Sequence, residues 1–160
     1  MSYGSGSFSG EEWLDTVALS PSLVIKSQSI GVANQSNGVN VDGILGVGPT
    51  DLTSGTVANT DTVPTVTDNL FAQGTITEEV LGVYFVPASE PDSFGELTFG
   101  RYDELKVAGP VNYVPLTATS PASTFWGVDQ SVSYGGETIL ATTAGIIDTG
   151  TSLVLLATGE

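Results

Sequence analysis

Ala144-Gly145-Ile146-Ile147-Asp148-Thr149-Gly150-Thr151-Ser152-Leu153 is the most informative stretch of the 160-residue chain. A short apolar run delivers a single acid, and a glycine flanked by two hydroxyl residues follows at once. The pattern reads as a strand ending on Asp148, with Gly150 letting the backbone turn sharply and Thr149 and Thr151 able to orient the carboxylate. A carboxylate would thereby be held at the edge of a core. An acid in an ordinary strand-to-turn corner has the same look, because Asp-Thr-Gly is short enough to recur by accident. Both readings are open on the triplet alone.

Working outward, the chain is a succession of short strands. Trp126 to Tyr134 alternates in polarity, and Gly135-Gly136 signals a tight turn into Thr138-Ile139-Leu140. Val111-Asn112-Tyr113-Val114-Pro115-Leu116 and Glu96-Leu97-Thr98-Phe99-Gly100 read as further strands, and Leu81 to Val86 as a buried one. Pro64 opens the clearest helix, with Val66, Leu70 and Phe71 on one face, Asp68 near its positive end and Gly74 as its stop. Val41 to Pro49 reads as an apolar core strand punctuated by glycines. Trp13, Val17 and Leu19, then Leu23, Ile25, Ile30 and Val32, predict hairpin strands broken at Ser20-Pro21 and Gly31. The glycine-rich residues 1 to 10 suit a mobile hairpin tip or flexible leader better than a packed strand.

Composition agrees with an all-β class of mainly antiparallel strands and one or two short helices. Charged residues are 13% of the chain and hydrophobic ones 40%, with 20 glycines, a balance that favours strands and turns. Lys and Arg number 3 against 18 Asp and Glu, for a net charge of −15. Nucleic acid and anionic membrane are therefore poor partners, since phosphate contacts need clustered bases. The imbalance fits simple solubility, and it also fits an acid habitat, where carboxylates protonate and self-repulsion falls. With no His and no Cys, Ser-His and Cys-His catalysis, imidazole metal ligation and disulfides are excluded. No run of about 18 apolar residues and no signal-peptide layout is present, so a soluble mature form is expected. Asn34-Gln35-Ser36 is a glycosylation sequon of a kind that chance also produces.

The flanks of Asp148 sharpen the reading. Two branched apolar residues before the acid, a Thr after the Gly and a Leu two places beyond resemble the active-site loop of the pepsin-like aspartic proteases. The other landmarks follow in that family's order. Tyr3-Gly4-Ser5-Gly6-Ser7-Phe8-Ser9-Gly10 is similar to the flap, and Asp42-Gly43-Ile44-Leu45-Gly46 to the strand bracing the first catalytic loop. Asp68 to Gly74 is similar to the helix after that strand, and Gly95 to Gly100 to the strand at the lobe junction. The resemblance spans nearly the whole chain, with fungal, basidiomycete-type members nearest in pattern.

The resemblance implies a partial bilobal pepsin-like fold. Residues 1–94 would be part of the N-terminal lobe from the flap onward, and residues 95–160 the lobe junction and the beginning of the C-terminal lobe. It implies Asp148 as catalytic acid, Thr149, Gly150 and Thr151 as loop support, and Tyr3, Gly4 and Ser5 as flap residues closing over substrate. The implied reaction is peptide-bond hydrolysis by an Asp-activated water, with a peptide or protein substrate, no cofactor, no metal and a secreted location.

A whole pepsin-like chain is about twice this long, and only one Asp-Thr-Gly occurs in these 160 residues. The expectation is a fragment lacking the first catalytic Asp, the strand facing residues 6 to 14 and the closing strands of the second lobe. Such a monomer would be inactive, and its open strand edges would invite a homodimer. Two other functions fit the residues: a non-catalytic secreted protein that binds a protein or cell-surface receptor, and a homodimer with one Asp148 from each chain.

Overall fold

The computed structural model describes residues 1–4, 6–87, 89–90 and 94–157. It divides into two compact units, Met1–Val111 and Asn112–Glu160.

The first unit is organised by one long hairpin. Strand β1 (Ser2–Tyr3) pairs antiparallel with β2 (Gly6–Ser20), which pairs with β3 (Leu23–Asn37). The turn between β2 and β3 is fixed by Ser20, whose Oγ accepts from the Ser22 and Leu23 N–H groups at 3.3 and 3.2 Å. The break expected at Gly31 does not occur, because Gly31 stays in the ladder opposite Glu12. The glycine-rich start is also ordered differently from a flexible leader. Tyr3 pairs with Gly6, Ser2 with Ser7, and Phe8 N–H donates to the Met1 carbonyl at 3.0 Å. Residues 6 to 14 do have a strand against them, namely the far end of β3.

Three irregularities interrupt the β2–β3 register, the first of them between Ser9 and Gly10. There, Ser9 faces Gln35 and Gly10 faces Ala33, leaving Asn34 as the extra residue of a bulge. Gly10 makes the bulge tolerable: a Cβ at that position would fall 1.9 Å from the Val32 carbonyl oxygen.

Against this hairpin packs α1 (Val66–Ala72), and a small core forms at their junction. Ile25, Val66, Leu70 and Ile76 are buried together, with Leu19, Leu23 and Phe99 against them. Val66 and Leu70 are four apart and share a face, whereas Phe71 is rotated about 100° further and lies 45% exposed. The predicted three-residue apolar face is thus a two-residue one. At the helix end, Gly74 takes φ +70°, the conformation expected of a glycine stop. The Gln73 side chain reaches back to β3, accepting from Lys26 N–H and donating to Lys26 C=O, both at 3.0 Å.

The start of α1 carries an acid pair. Asp68 Oδ2 accepts from Thr65 N–H at 2.6 Å and from the Thr50 hydroxyl. Burial pushes the Asp68 carboxyl up, but hydrogen bonds with Glu79, Thr50 and Thr65 outweigh it and bring the group below its ordinary 3.8. Glu79 is raised above its ordinary 4.5, first by hydrogen bonding to Asp68, then by burial and the Asp68 charge. The stability Asp68 contributes is present above 3.8 and lost as pH falls through its lowered value. The stability that protonated Glu79 contributes is complete below 4.5 and lost as pH rises through its raised value. The pair therefore favours the folded state most around pH 3.8 to 4.5. In Glu79→Gln the amide donates to Asp68 at every pH, so the melting temperature should decline less above that window than in the parent. An identical decline in both proteins would refute the pairing.

Strands β4 (Leu81–Tyr84) and β5 (Glu96–Phe99) form a separate antiparallel ribbon. The buried strand expected to run to Val86 stops at Tyr84, with Val83 and Phe85 37% and 68% exposed. Two other predicted strands are not laddered. Val41 to Pro49 is irregular, and Val41, Ile44 and Leu45 are exposed. Val111 to Leu116 is likewise unpaired, with Tyr113, Val114 and Leu116 exposed. Apolar alternation gives strand propensity, but a strand forms only against a partner, and no described segment supplies one in either place.

The second unit is built on the hairpin β6 (Gly127–Tyr134) and β7 (Glu137–Ile146). Its turn is the predicted Gly135-Gly136, with φ of +60° and +87°, the two left-handed residues that a type I′ turn requires.

Candidate active site

Asp148 follows β7 directly, two residues beyond its last laddered position, Ile146 opposite Gly127. One further backbone bond continues the grip: Ile147 N–H donates to the Trp126 carbonyl at 2.9 Å. The chain then leaves the sheet. Gly150 N–H donates to Asp148 Oδ1 at 2.9 Å, and the Thr151 hydroxyl donates to Oδ2 at 2.6 Å. Each carboxylate oxygen thus has its own donor from the loop that follows, which fixes the plane of the group while leaving it exposed. The sequence offered Gly150 as a point of turning and the Thr149 and Thr151 hydroxyls as orienters; the donors in the structure are Gly150 N–H and the Thr151 hydroxyl. Thr149 is exposed and makes no side-chain hydrogen bond among the described residues.

The bracing beneath this loop was not legible in the sequence. Thr117 is buried at 6% exposure; its N–H donates to the Gly127 carbonyl at 2.9 Å and its hydroxyl to Asp129 Oδ1 at 2.7 Å. It clamps the start of β6, the strand whose neighbour Trp126 holds Ile147. Gly127 permits the close packing, since a Cβ there would lie 2.3 Å from the Ala122 carbonyl oxygen. The one available signal was a glycine inside a strand pattern, which marks close backbone approach.

In the first unit, the Tyr3 ring lies 5.9 Å from that of Phe8, and burial pushes its hydroxyl above the ordinary tyrosine value. The phenol stays protonated, and so a hydrogen-bond donor, throughout the acid range. Gly4 has open space where a Cβ would stand. Ser5 lies outside the described residues.

Comparison with known proteins gives the family. The family model described as "Eukaryotic aspartyl protease" matches residues 1–160, and the chain belongs to that family. It is 56% identical over 162 residues to polyporopepsin of Irpex lacteus, covering 98% of this chain and 47% of the relative. Rhizopuspepsin-1 of Rhizopus niveus is 38% identical over 162 residues, covering 98% and 39%, and mouse (Mus musculus) cathepsin E is 32% identical over 160, covering 95% and 38%. The crystal structure of aspartic proteinase from Irpex lacteus superposes with a TM-score of 0.92 at 55% identity, over 98% of this chain and 47% of that one. The chain thus spans about half the length, or less, of the relatives it matches. The pepsin-like fold class and the fungal resemblance are borne out. The comparisons give no support to a binding-only protein or to a dimer with one Asp148 from each chain.

Proposed function

We propose that this chain is part of an acid endopeptidase in which Asp148 is one of two carboxylates that share a proton and activate water against a peptide carbonyl. The observation that supports this best is the Asp148 carboxylate, set at the end of β7 and held by Gly150 N–H and the Thr151 hydroxyl. In the whole protein the ionised partner takes a proton from the water as it attacks, and the other partner donates to the peptide. Thr149 belongs to the same catalytic loop. Tyr3, Gly4 and Ser5 act as the flap, the phenol of Tyr3 donating to the hydrogen-bond network over the substrate. Residues 1–94 form the N-terminal lobe portion and 95–160 the junction and start of the second lobe.

The protein is secreted and works in acid. A net charge of −15 supports that medium, because carboxylates protonate there and self-repulsion falls. The 160 residues alone are inactive as a monomer, because a single carboxylate cannot divide the acid and base roles. The test is digestion of a denatured protein between about pH 3 and 5 by the whole protein and by this chain separately. Activity in the first only, blocked by pepstatin, is the expected result; a whole protein without acid proteolysis would overturn the reading.

A further inference from the structure

The sequon Asn34-Gln35-Ser36 coincides with the bulge in β3. Asn34 is the residue with no partner across the ladder, between Ala33 opposite Gly10 and Gln35 opposite Ser9. Asn34, Gln35 and Ser36 are all exposed, and the Asn34 amide makes no side-chain hydrogen bond among the described residues. The bulge is specified by the partner strand as well, since only a residue without a Cβ fits at Gly10, 1.9 Å from the Val32 oxygen. β3 is the outer strand of its sheet among the described residues, so a bulky group at Asn34 meets no neighbouring strand.

From this coincidence we infer that Asn34 is a site of N-glycosylation. A sequon in the middle of a regular strand would carry its glycan against a cross-strand neighbour, whereas an extra residue at a bulge is free of one. The transfer needs a lipid-linked oligosaccharide pyrophosphate as donor. Asn34 Nδ2 bonds to the anomeric carbon of the reducing-end sugar as the bond from that carbon to the pyrophosphate oxygen breaks. The amide gives up one proton and the lipid pyrophosphate leaves, with no change of oxidation state. The Ser36 hydroxyl supplies the third position that acceptor recognition requires. At an outer strand the glycan would also block the addition of a foreign strand.

This inference rests on the secretion proposed above. The whole protein is expressed with its own leader in a eukaryotic secretory host. Medium and cell fractions are treated with peptide-N-glycosidase, and the peptide spanning Asn34 is read by mass spectrometry. The expected result is a downward mobility shift of one glycan and the deamidation mark of that enzyme at Asn34, both lost in Asn34→Gln and Ser36→Ala and kept in Ser36→Thr. Secreted protein with a bare Asn34 would overturn the site and leave secretion standing. Protein confined to the cytosol would overturn both.

Discussion

On the endopeptidase reading proposed above, Asp148→Asn in the whole protein is expected to lower kcat for peptide hydrolysis by about 10³-fold or more, with KM changed by less than about threefold. The substitution is close to isosteric. Asn keeps an oxygen to accept from Gly150 N–H, and its amide can face the Thr151 hydroxyl, which accepts as well as donates. The loop therefore stays in place while the proton traffic stops. An amide cannot hold or release a proton in the acid range, so the proposed pair would lose one of its two members. Fold integrity is checked by an unchanged melting temperature. If the variant digests protein in acid at the parent rate, the catalytic role proposed for Asp148 is wrong.

The largest expected effect on stability lies in the first unit. Leu70→Ala should cost about 2–5 kcal/mol, because Leu70 is 0% exposed and lies at the centre of the Ile25, Val66 and Ile76 cluster. Its carbonyl also receives Thr75 and Ile76 N–H at 2.9 and 3.3 Å, so collapse of the cavity is opposed by bonded backbone. A loss of this size is a large share of the roughly 5–15 kcal/mol that holds a typical domain together. Leu70→Met, which nearly conserves volume, should cost less than about 1.5 kcal/mol. Phe71→Ala, one residue on but 45% exposed, should cost less than Leu70→Ala despite removing the larger side chain. Denaturant titration of the three variants gives the order; Phe71→Ala as the most damaging would place the core on the other face of α1.

These contrasts show what the sequence could and could not carry. Short-range features were legible: the Gly135-Gly136 turn, the Gly74 stop of α1, whose start falls at Thr65 and Val66 rather than on Pro64, and the Thr151 hydroxyl on Asp148. Each depends on residues only a few positions apart, where backbone sterics decide. Features that depend on a distant partner were not. Val41 to Pro49 and Val111 to Leu116 have strand composition, yet no described strand faces them. Phe71 belongs to an apolar pattern whose width depended on what α1 packs against. Thr117 gave no sign of its grip on Gly127 and Asp129, because a buried threonine looks like any other in a strand-rich chain. Gly31 shows the converse: a glycine that looked like a break is tolerated where two long strands supply enough ladder on either side.

The amide of Gln73 has a consequence of its own. By offering one acceptor and one donor to the N–H and C=O of Lys26, it imitates a peptide unit and stands where a neighbouring backbone would. The outer margin of the hairpin is thereby sealed at that point by a side chain from the helix, so lifting the helix away would uncover a template for misassembly. A glutamate at the same position could accept but never donate in its ionised form, and half of the imitation would fail.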